Sequence, residues 1–558
     1  MTTCTNCSRE FQITDKDLEL YKKIGVPSPT HCHDCRQQRR LAWRNERFMY
    51  KRKCDFSGKD IVSMYPPDSP FKVYESDIWW SDKWDGLEYG RDFDFSRPFF
   101  EQFRELQLEV PRAALVNKQS ENSQYTNHAG KNKNCYLSGC IFNSEDCYYS
   151  DWIMSSRDSI DCSYFVENNE IAYETYYAWN SYKVFFCDFI RQCSDLWFCY
   201  DCIGVKDSFM CWNLRNAKYC IRNVQYTREE YEAEIAKLFP LSIEKLQELR
   251  KEYINIKNGI AIRPVTYIIN SENSIGDLLF ESKNVYYSFD SIHSEDSSYL
   301  YDSIDMKDSM DAYHVGWSEL TYECHAITNS TQARFSHFSY DNNYIDYCDC
   351  VHNSKNLFGC AGLVSKEYCI LNKQYSRAEY EALVPKIIEH MTDSRSESFP
   401  NGEFGEFFPI NFSPFAYNQG RAIEYYPITK EQAEAKGYRW SNYIPTPPAL
   451  NKSIQAEDLP QTINEVDNSI LTKAIICKRS GRAFRIAKGE LEFYRNNNLP
   501  LPQLHPDERY SDRMAQRTPR SLWERPCTKC NSQTWTSHAP NTTAKMYCQA
   551  CYKQTIYG

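Results

Sequence analysis

Long apolar runs are missing from this 558-residue chain: none approaches the roughly 18 residues that a membrane-spanning helix needs. The opening MTTCTNCSRE has no apolar segment of the kind that drives secretion. Gly (19) and Pro (24) are scarce, which argues against collagen-like or low-complexity disorder. Catalytic signatures are missing too, with no phosphate-binding glycine loop, no HExxH and no GxSxG. Together these absences predict a cytoplasmic protein with no membrane partner, and they lean away from an enzyme.

Tyr (42) and Cys (25) are what the chain has in abundance. The odd cysteine total fits a secreted disulfide framework poorly, and two sets of knuckle pairs stand out. Cys4-x-x-Cys7 with Cys32-x-x-Cys35, and Cys527-x-x-Cys530 with Cys548-x-x-Cys551, each supply four thiolates at the spacing of a structural zinc site. Two Zn2+ ions are expected, both closed to substrate because four sulfurs complete the tetrahedron.

The two ends repeat each other. Adding 473 to Phe11, Ile13, Leu18, Tyr21, Pro27, Pro29 and Asp34 gives Phe484, Ile486, Leu491, Tyr494, Pro500, Pro502 and Asp507. The same step carries the N-terminal quartet onto Cys477, Ser480, His505 and Glu508, and the C-terminal quartet falls back onto Cys54, Ser57, Glu75 and Ile78. Each end has kept a different half of a two-site design.

Behind the second knuckle Arg36, Arg40, Arg44 and Arg47 keep helical steps, and they recur at Arg509, Arg513, Arg517 and Arg520. Pro519 is expected to break the second helix before Arg520. Phosphate is the natural anion for such a stripe, so Arg36, Arg40, Arg44, Arg47, Arg509, Arg513 and Arg517 are the candidate contacts to nucleic acid, RNA or DNA. Docking on the chain's own acidic surface and a merely solvated face are the other two readings. Trp43, Phe48 and Tyr50 either stack on bases or cover the metal core.

Between the ends, twelve-residue blocks such as SEDCYYSDWIMS and SKNVYYSFDSIH run in two series, from Asn132 and from Ser282. Each block reads as a polar corner plus a strand. Fixed short periods imply stacking, so the expected fold is mainly β with small α: two β-solenoid-like halves, with two blocks per rung, flanked by duplicated zinc-ribbon or treble-clef-like domains. An antiparallel meander is the rival. YCIRNVQYTREEYEAEI and YCILNKQYSRAEYEALV close the series, and Thr227 with Glu230 and Ser376 with Glu379 predict helices that cover the open ends. Cys187, Cys199 and Cys211 recur every twelve residues and read as buried small hydrophobes.

In the second series one position reads Asp290, Asp302, His314, His325, His337 and Asp349. Stacking alternate blocks gives two imidazole–carboxylate columns, the candidate catalytic or metal-binding groups of a rival reading, an enzyme acting on a carbohydrate or nucleotide. The plainer reading is a polar outer face. The expected domains are 1–115, zinc-binding; 121–245 and 272–392, the two repeat halves with their caps; 393–470, an aromatic and Pro-rich strap and linker without chemistry; and 471–558, zinc-binding.

NKQYSRAEYEALVPKIIEHM, GEFFPINFSPFAYN and CKRSGRAFRIAKGELEFYR resemble segments of an uncharacterised bacterial family with zinc-ribbon or treble-clef-like ends, over most of residues 370–558. CHDCRQQRRLAWRNER is similar in kind. The resemblance implies zinc binding and no particular activity. The function expected is a zinc-binding, non-enzymatic scaffold whose ends meet nucleic acid, with a pure protein-interaction scaffold as a further alternative.

Overall fold

The computed structural model describes residues 1–396, 399–443 and 452–558. The Pro-rich stretch expected to be a linker falls largely at 444–451 and lies outside the described residues. Short strands dominate, with few helices, and among the described residues no helix is long and apolar enough to cross a membrane.

The repeat series are built on a three-residue beat. Ile171, Glu174, Tyr177, Asn180 and Lys183 have φ of 59°, 47°, 52°, 51° and 51°, and such left-handed residues recur through both series. A single non-glycine residue there costs on the order of 1 kcal/mol, so the surrounding stacks must hold each one in place. The residue after each corner points inward: Ala172, Thr175, Ala178, Ser181 and Val184 are all buried. Four corners make one coil of twelve residues.

Successive coils pair in parallel at that step, as in Tyr176 with Asp188 with Tyr200 and, on another side, Tyr182 with Ser194 with Lys206. The expected stacking of alternate blocks is therefore corrected. Consecutive blocks stack, because each carries two strands and already returns the chain to its starting side. The antiparallel meander is likewise replaced by parallel pairing. One extra residue near Phe165 shifts the register from Asp151–Ser163 to Ile153–Val166, and each series opens on a shorter step, Tyr125–Tyr136 and Ile275–Tyr286.

Sides of three residues leave a narrow interior, which selects short side chains. Cys187, Cys199 and Cys211 lie on successive coils of one buried column. The Cys199 N–H donates to Cys187 Sγ at 3.4 Å. Serines and asparagines fill another column by the same device, with the Ser181 N–H donating to Asn169 Oδ1 at 2.8 Å and the Cys193 N–H to Ser181 Oγ at 3.2 Å. Buried polar atoms thus keep partners. Cys199 and Cys202 also have knuckle spacing, yet both face this interior.

Each series ends on an antiparallel hairpin, Cys220 with Gln225 and Cys369 with Gln374. Helices Arg228–Ala236 and Arg377–Asp393 follow, both opened by reciprocal capping boxes at Thr227/Glu230 and Ser376/Glu379. Tyr231 then lies 5.8 Å from Tyr219, and Tyr380 5.8 Å from Tyr368, ring to ring, over the last strand.

The chain divides into two compact units that do not follow chain order. One joins Met1–Leu115 to Thr266–Asn442, the N-terminal module with the second series. The other joins Val116–Val265 to Tyr443–Gly558, the first series with the C-terminal module. Each has an aromatic core between series and module: Tyr21, Trp43, Phe99 and Phe103 with Tyr322, Phe335 and Tyr347 in one, and Leu491, Phe493 and Tyr494 with Tyr173, Phe186 and Phe198 in the other.

Candidate metal centres and the docked arginine helices

Four tight turns share one backbone geometry. The Cys4 N–H bonds the Arg9 carbonyl and the Ser8 N–H bonds the Cys4 carbonyl, both at 2.9 Å. Cys54 with Lys59 and Gly58, Cys477 with Arg482 and Gly481, and Cys527 with Ser532 and Asn531 repeat the pair at 2.8–3.0 Å. A left-handed residue closes every turn: Ser8, Gly58, Gly481 and Asn531. Backbone amides also aim at the first sulfur, from Glu75 to Cys54 at 3.3 Å, from His505 to Cys477 at 3.2 Å and from Cys548 to Cys527 at 3.2 Å. The two turns that lost ligands have kept the knuckle's shape, because the hydrogen bonds that make it are in the main chain.

The intact turns assemble two groups, Cys4, Cys7, Cys32 and Cys35, and Cys527, Cys530, Cys548 and Cys551. In each, the four sulfurs lie within 4.8 Å of one another and could hold a metal ion. Four thiols so crowded are a donor set for a soft, tetrahedral ion. Hydrogen bonding from Cys35 pulls Cys32 down to about 5, and Ser532 pulls Cys530 down to about 6. Cys32 and Cys548 stand at the N-caps of helices His33–Leu41 and Gln549–Tyr557, so each centre pins a helix start.

The first of those helices carries the arginines, and it ends at Leu41. Arg44 and Arg47 therefore lie beyond it, and the helical stripe is shorter than its spacing predicted. Arg36 donates through Nε to Asp311 Oδ2 at 2.9 Å and through Nη1 to the His31 carbonyl at 2.6 Å. Arg40 joins Glu323 Oε2 at 2.9 Å to Asp311 Oδ1 at 3.2 Å. Arg39, outside the predicted set, bridges Glu323 and Glu406 at 2.7 Å each. Arg44 meets Glu46 Oε1 and His314 Nδ1, both at 2.7 Å, and Arg47 is half-buried. Arg36 and Arg40 are 2% and 0% exposed, so phosphate cannot reach them in this conformation.

The C-terminal copy repeats the arrangement on the other series. Helix Pro506–Met514 also stops early, well before Pro519. Arg509 contacts Asp161 Oδ2 at 3.0 Å, and Arg513 contacts Asp161 Oδ1 at 2.8 Å and the Tyr149 carbonyl at 3.2 Å. Arg517 lies over the Tyr164 ring at 3.4 Å. Arg36 and Arg40 share Asp311 as Arg509 and Arg513 share Asp161. Tyr21 meets Tyr322 edge-on at 5.6 Å and 80°, as Tyr494 meets Tyr173 at 5.7 Å and 79°. Module, series and the contact between them thus repeat together. Glu174, the counterpart of Glu323, takes Arg250 as its partner instead.

The strap, expected to carry no chemistry, supplies Glu406 to Arg39, and its Glu403 caps helix Phe99–Glu109 by accepting from the Phe99 and Phe100 N–H groups at 2.8 and 3.1 Å. Trp43 lies in the buried cover and not on an open face, tilted against Phe408 at 5.1 Å.

The predicted His and Asp columns are rearranged by the twelve-residue register. Asp290, Asp302 and His314 each follow a paired residue of the Phe289–Tyr301–Tyr313 column, and that column itself continues into His325, His337 and Asp349. Asp290, Asp302, His325, His337 and Asp349 are buried. His337 has Asp349 at 3.0 Å from Nδ1 and the Trp43 carbonyl at 3.1 Å from Nε2, so both ring nitrogens are engaged. His325 stacks on Tyr313 at 5.5 Å, and His314 Nε2 lies 3.4 Å from Glu46. Although burial raises it, the Asp349 carboxyl is held well below the usual range by Arg112 and His337. The column forms a covered polar seam, not an open face.

No protein-family model and no curated protein matches the chain. A crystal structure described as a "putative acetyltransferase" from Desulfovibrio desulfuricans G20 covers 48% of this chain and 69% of its own at 8% identity, and its TM-score of 0.11 carries no argument about fold or activity.

Proposed function

We propose that the protein is a zinc-stapled, non-enzymatic scaffold in which two β-solenoid segments are each clamped by a zinc module, leaving the outer coil faces to meet a protein partner. The duplicated dock carries this reading: Arg36 and Arg40 on Asp311, and Arg509 and Arg513 on Asp161. The same stripe survives at both ends because it neutralises a buried carboxylate at both ends. That accounts for its persistence where the adjacent knuckle has lost its ligands, and it makes intramolecular docking a better account of these arginines than phosphate binding. Zinc suits the donor sets, since four thiolates complete a structural site and leave no coordination position for catalysis.

Elemental analysis of the purified chain tests the metal: two zinc ions per chain are expected. Retention on RNA and DNA across a salt gradient tests the arginines. Asp161→Asn and Arg36→Ala should lower stability and leave retention unchanged; a folded Arg36→Ala protein that loses salt-dependent retention would restore the nucleic-acid reading.

A further inference from the structure

The two four-cysteine centres differ in shielding. Cys4, Cys32 and Cys35 are 1%, 4% and 5% exposed and Cys7 is half-buried. In the C-terminal centre Cys527 is buried, Cys548 and Cys551 are half-buried, and Cys530 is exposed. Cys530 Sγ lies 3.8 Å from Cys548 Sγ. What this centre pins also differs. Directly after its last ligand comes Tyr552, whose hydroxyl donates to Asp201 and accepts from Arg215 Nη2 at 2.9 Å. Just before it, strand Lys545–Tyr547 pairs with Ile262–Pro264. The centre therefore holds the final helix and strand onto the end of the first series.

We propose that the C-terminal centre is a peroxide-sensitive switch, with Cys530 as the first residue to react and the final helix as the element released. This rests on the reading of both clusters as zinc sites. The Cys530 thiolate attacks one peroxide oxygen; an S–O bond forms, the O–O bond breaks, and the departing hydroxide takes a proton to become water. The Cys548 thiolate then attacks the sulfenic sulfur, forming the S–S bond and expelling a second hydroxide, which is also protonated. Two thiolates lose two electrons and the peroxide is reduced to two waters. A quartet with two sulfurs joined can no longer hold its ion, and Cys548 no longer fixes the helix start. The N-terminal quartet, with Cys4, Cys32 and Cys35 buried and no member as exposed as Cys530, reacts more slowly.

The test uses the zinc-loaded full chain, hydrogen peroxide, a chromogenic zinc chelator and peptide mass spectrometry. One zinc equivalent should leave at least about tenfold faster than the other, as expected where reaction follows access to the thiolate. Cys530 should be the first cysteine modified, and amide exchange should rise across 545–557. Cys530→Ser should hold a single zinc ion that resists peroxide. Two zinc ions leaving at equal rates, N-terminal cysteines modified first, or a final helix still protected after zinc loss would overturn the switch alone. A chain that binds no zinc overturns the zinc reading and the switch with it.

Discussion

At Arg40 the guanidinium touches two carboxylates, Glu323 and Asp311, and is wholly buried with them. Removing one partner of such a group leaves the other charge desolvated, at a cost of about 3–5 kcal/mol. Arg40→Ala should therefore shift the denaturant midpoint by an amount that corresponds to that loss, and Asp161→Asn should do the same through Arg509 and Arg513. Replacing Asp311, Glu323, Arg36 and Arg40 together with apolar residues, which leaves the Arg39–Glu406 pair balanced, should cost less than Arg40→Ala alone. His538 gives a pH counterpart. Burial, with the Arg263 charge, lowers it to about 4, and its Nε2 lies 3.2 Å from the Pro264 carbonyl. The folded state thus takes up a proton less readily than the unfolded one, so stability is complete above the unfolded value near 6.5 and falls as pH drops toward 4. The loss is about 3 kcal/mol. Urea melts at pH 7 and pH 4.5 should differ by most of it, and His538→Gln should flatten the profile. The arginines and the two cysteine quartets were legible in the sequence by type and repetition. Their partners were not, because Asp311 and Glu323 look like any acids of an exposed corner until the register places them. One clue was present: adding 150 to Asp161 gives Asp311 and adding 149 to Glu174 gives Glu323, so the acids repeat as faithfully as the arginines.

Among the elements, the twelve-residue coil was visible as a period but not as a geometry. Strand-length runs of Tyr, Phe and Ile suggested one strand per block, whereas the three-residue beat makes two. The informative residues were the small inward ones, Ser, Ala and Cys at every third position, which an apolar–polar alternation search averages away. Their size can be tested. Cys199 is fully buried in a column flanked by Cys187 and Cys211, so Cys199→Leu should overfill the coil and cost about 1–3 kcal/mol. Cys199→Ser keeps the volume and, with its hydroxyl able to bond a carbonyl as Ser208 Oγ does to Lys206 at 2.8 Å, should be much milder. Equal losses in denaturant melts would contradict a size-limited interior. The starts of both capping helices were legible to the residue, since Ser or Thr followed three positions later by Glu signals a local hydrogen-bond exchange that needs no tertiary information.

For the whole molecule, module and series associate against the order of the chain, and local signals give no hint of that. Nothing in the local sequence assigns the N-terminal module to either series; the docked pairs put it on the second. Separate polypeptides 116–265 and 452–558 should copurify when expressed together, and Arg513→Glu should abolish the association. Failure of the unaltered pair to associate would show that the dock needs covalent continuity. Timing follows from the same exchange. Arg36 and its partner Asp311 are 275 residues apart in the chain. At roughly 5–20 residues per second, synthesis leaves the N-terminal four-cysteine module without its counter-charges for about 14–55 s. Throughout that interval Arg36, Arg39 and Arg40 have no Asp311 or Glu323 to meet, so the N-terminal dock cannot close until the second series has been made.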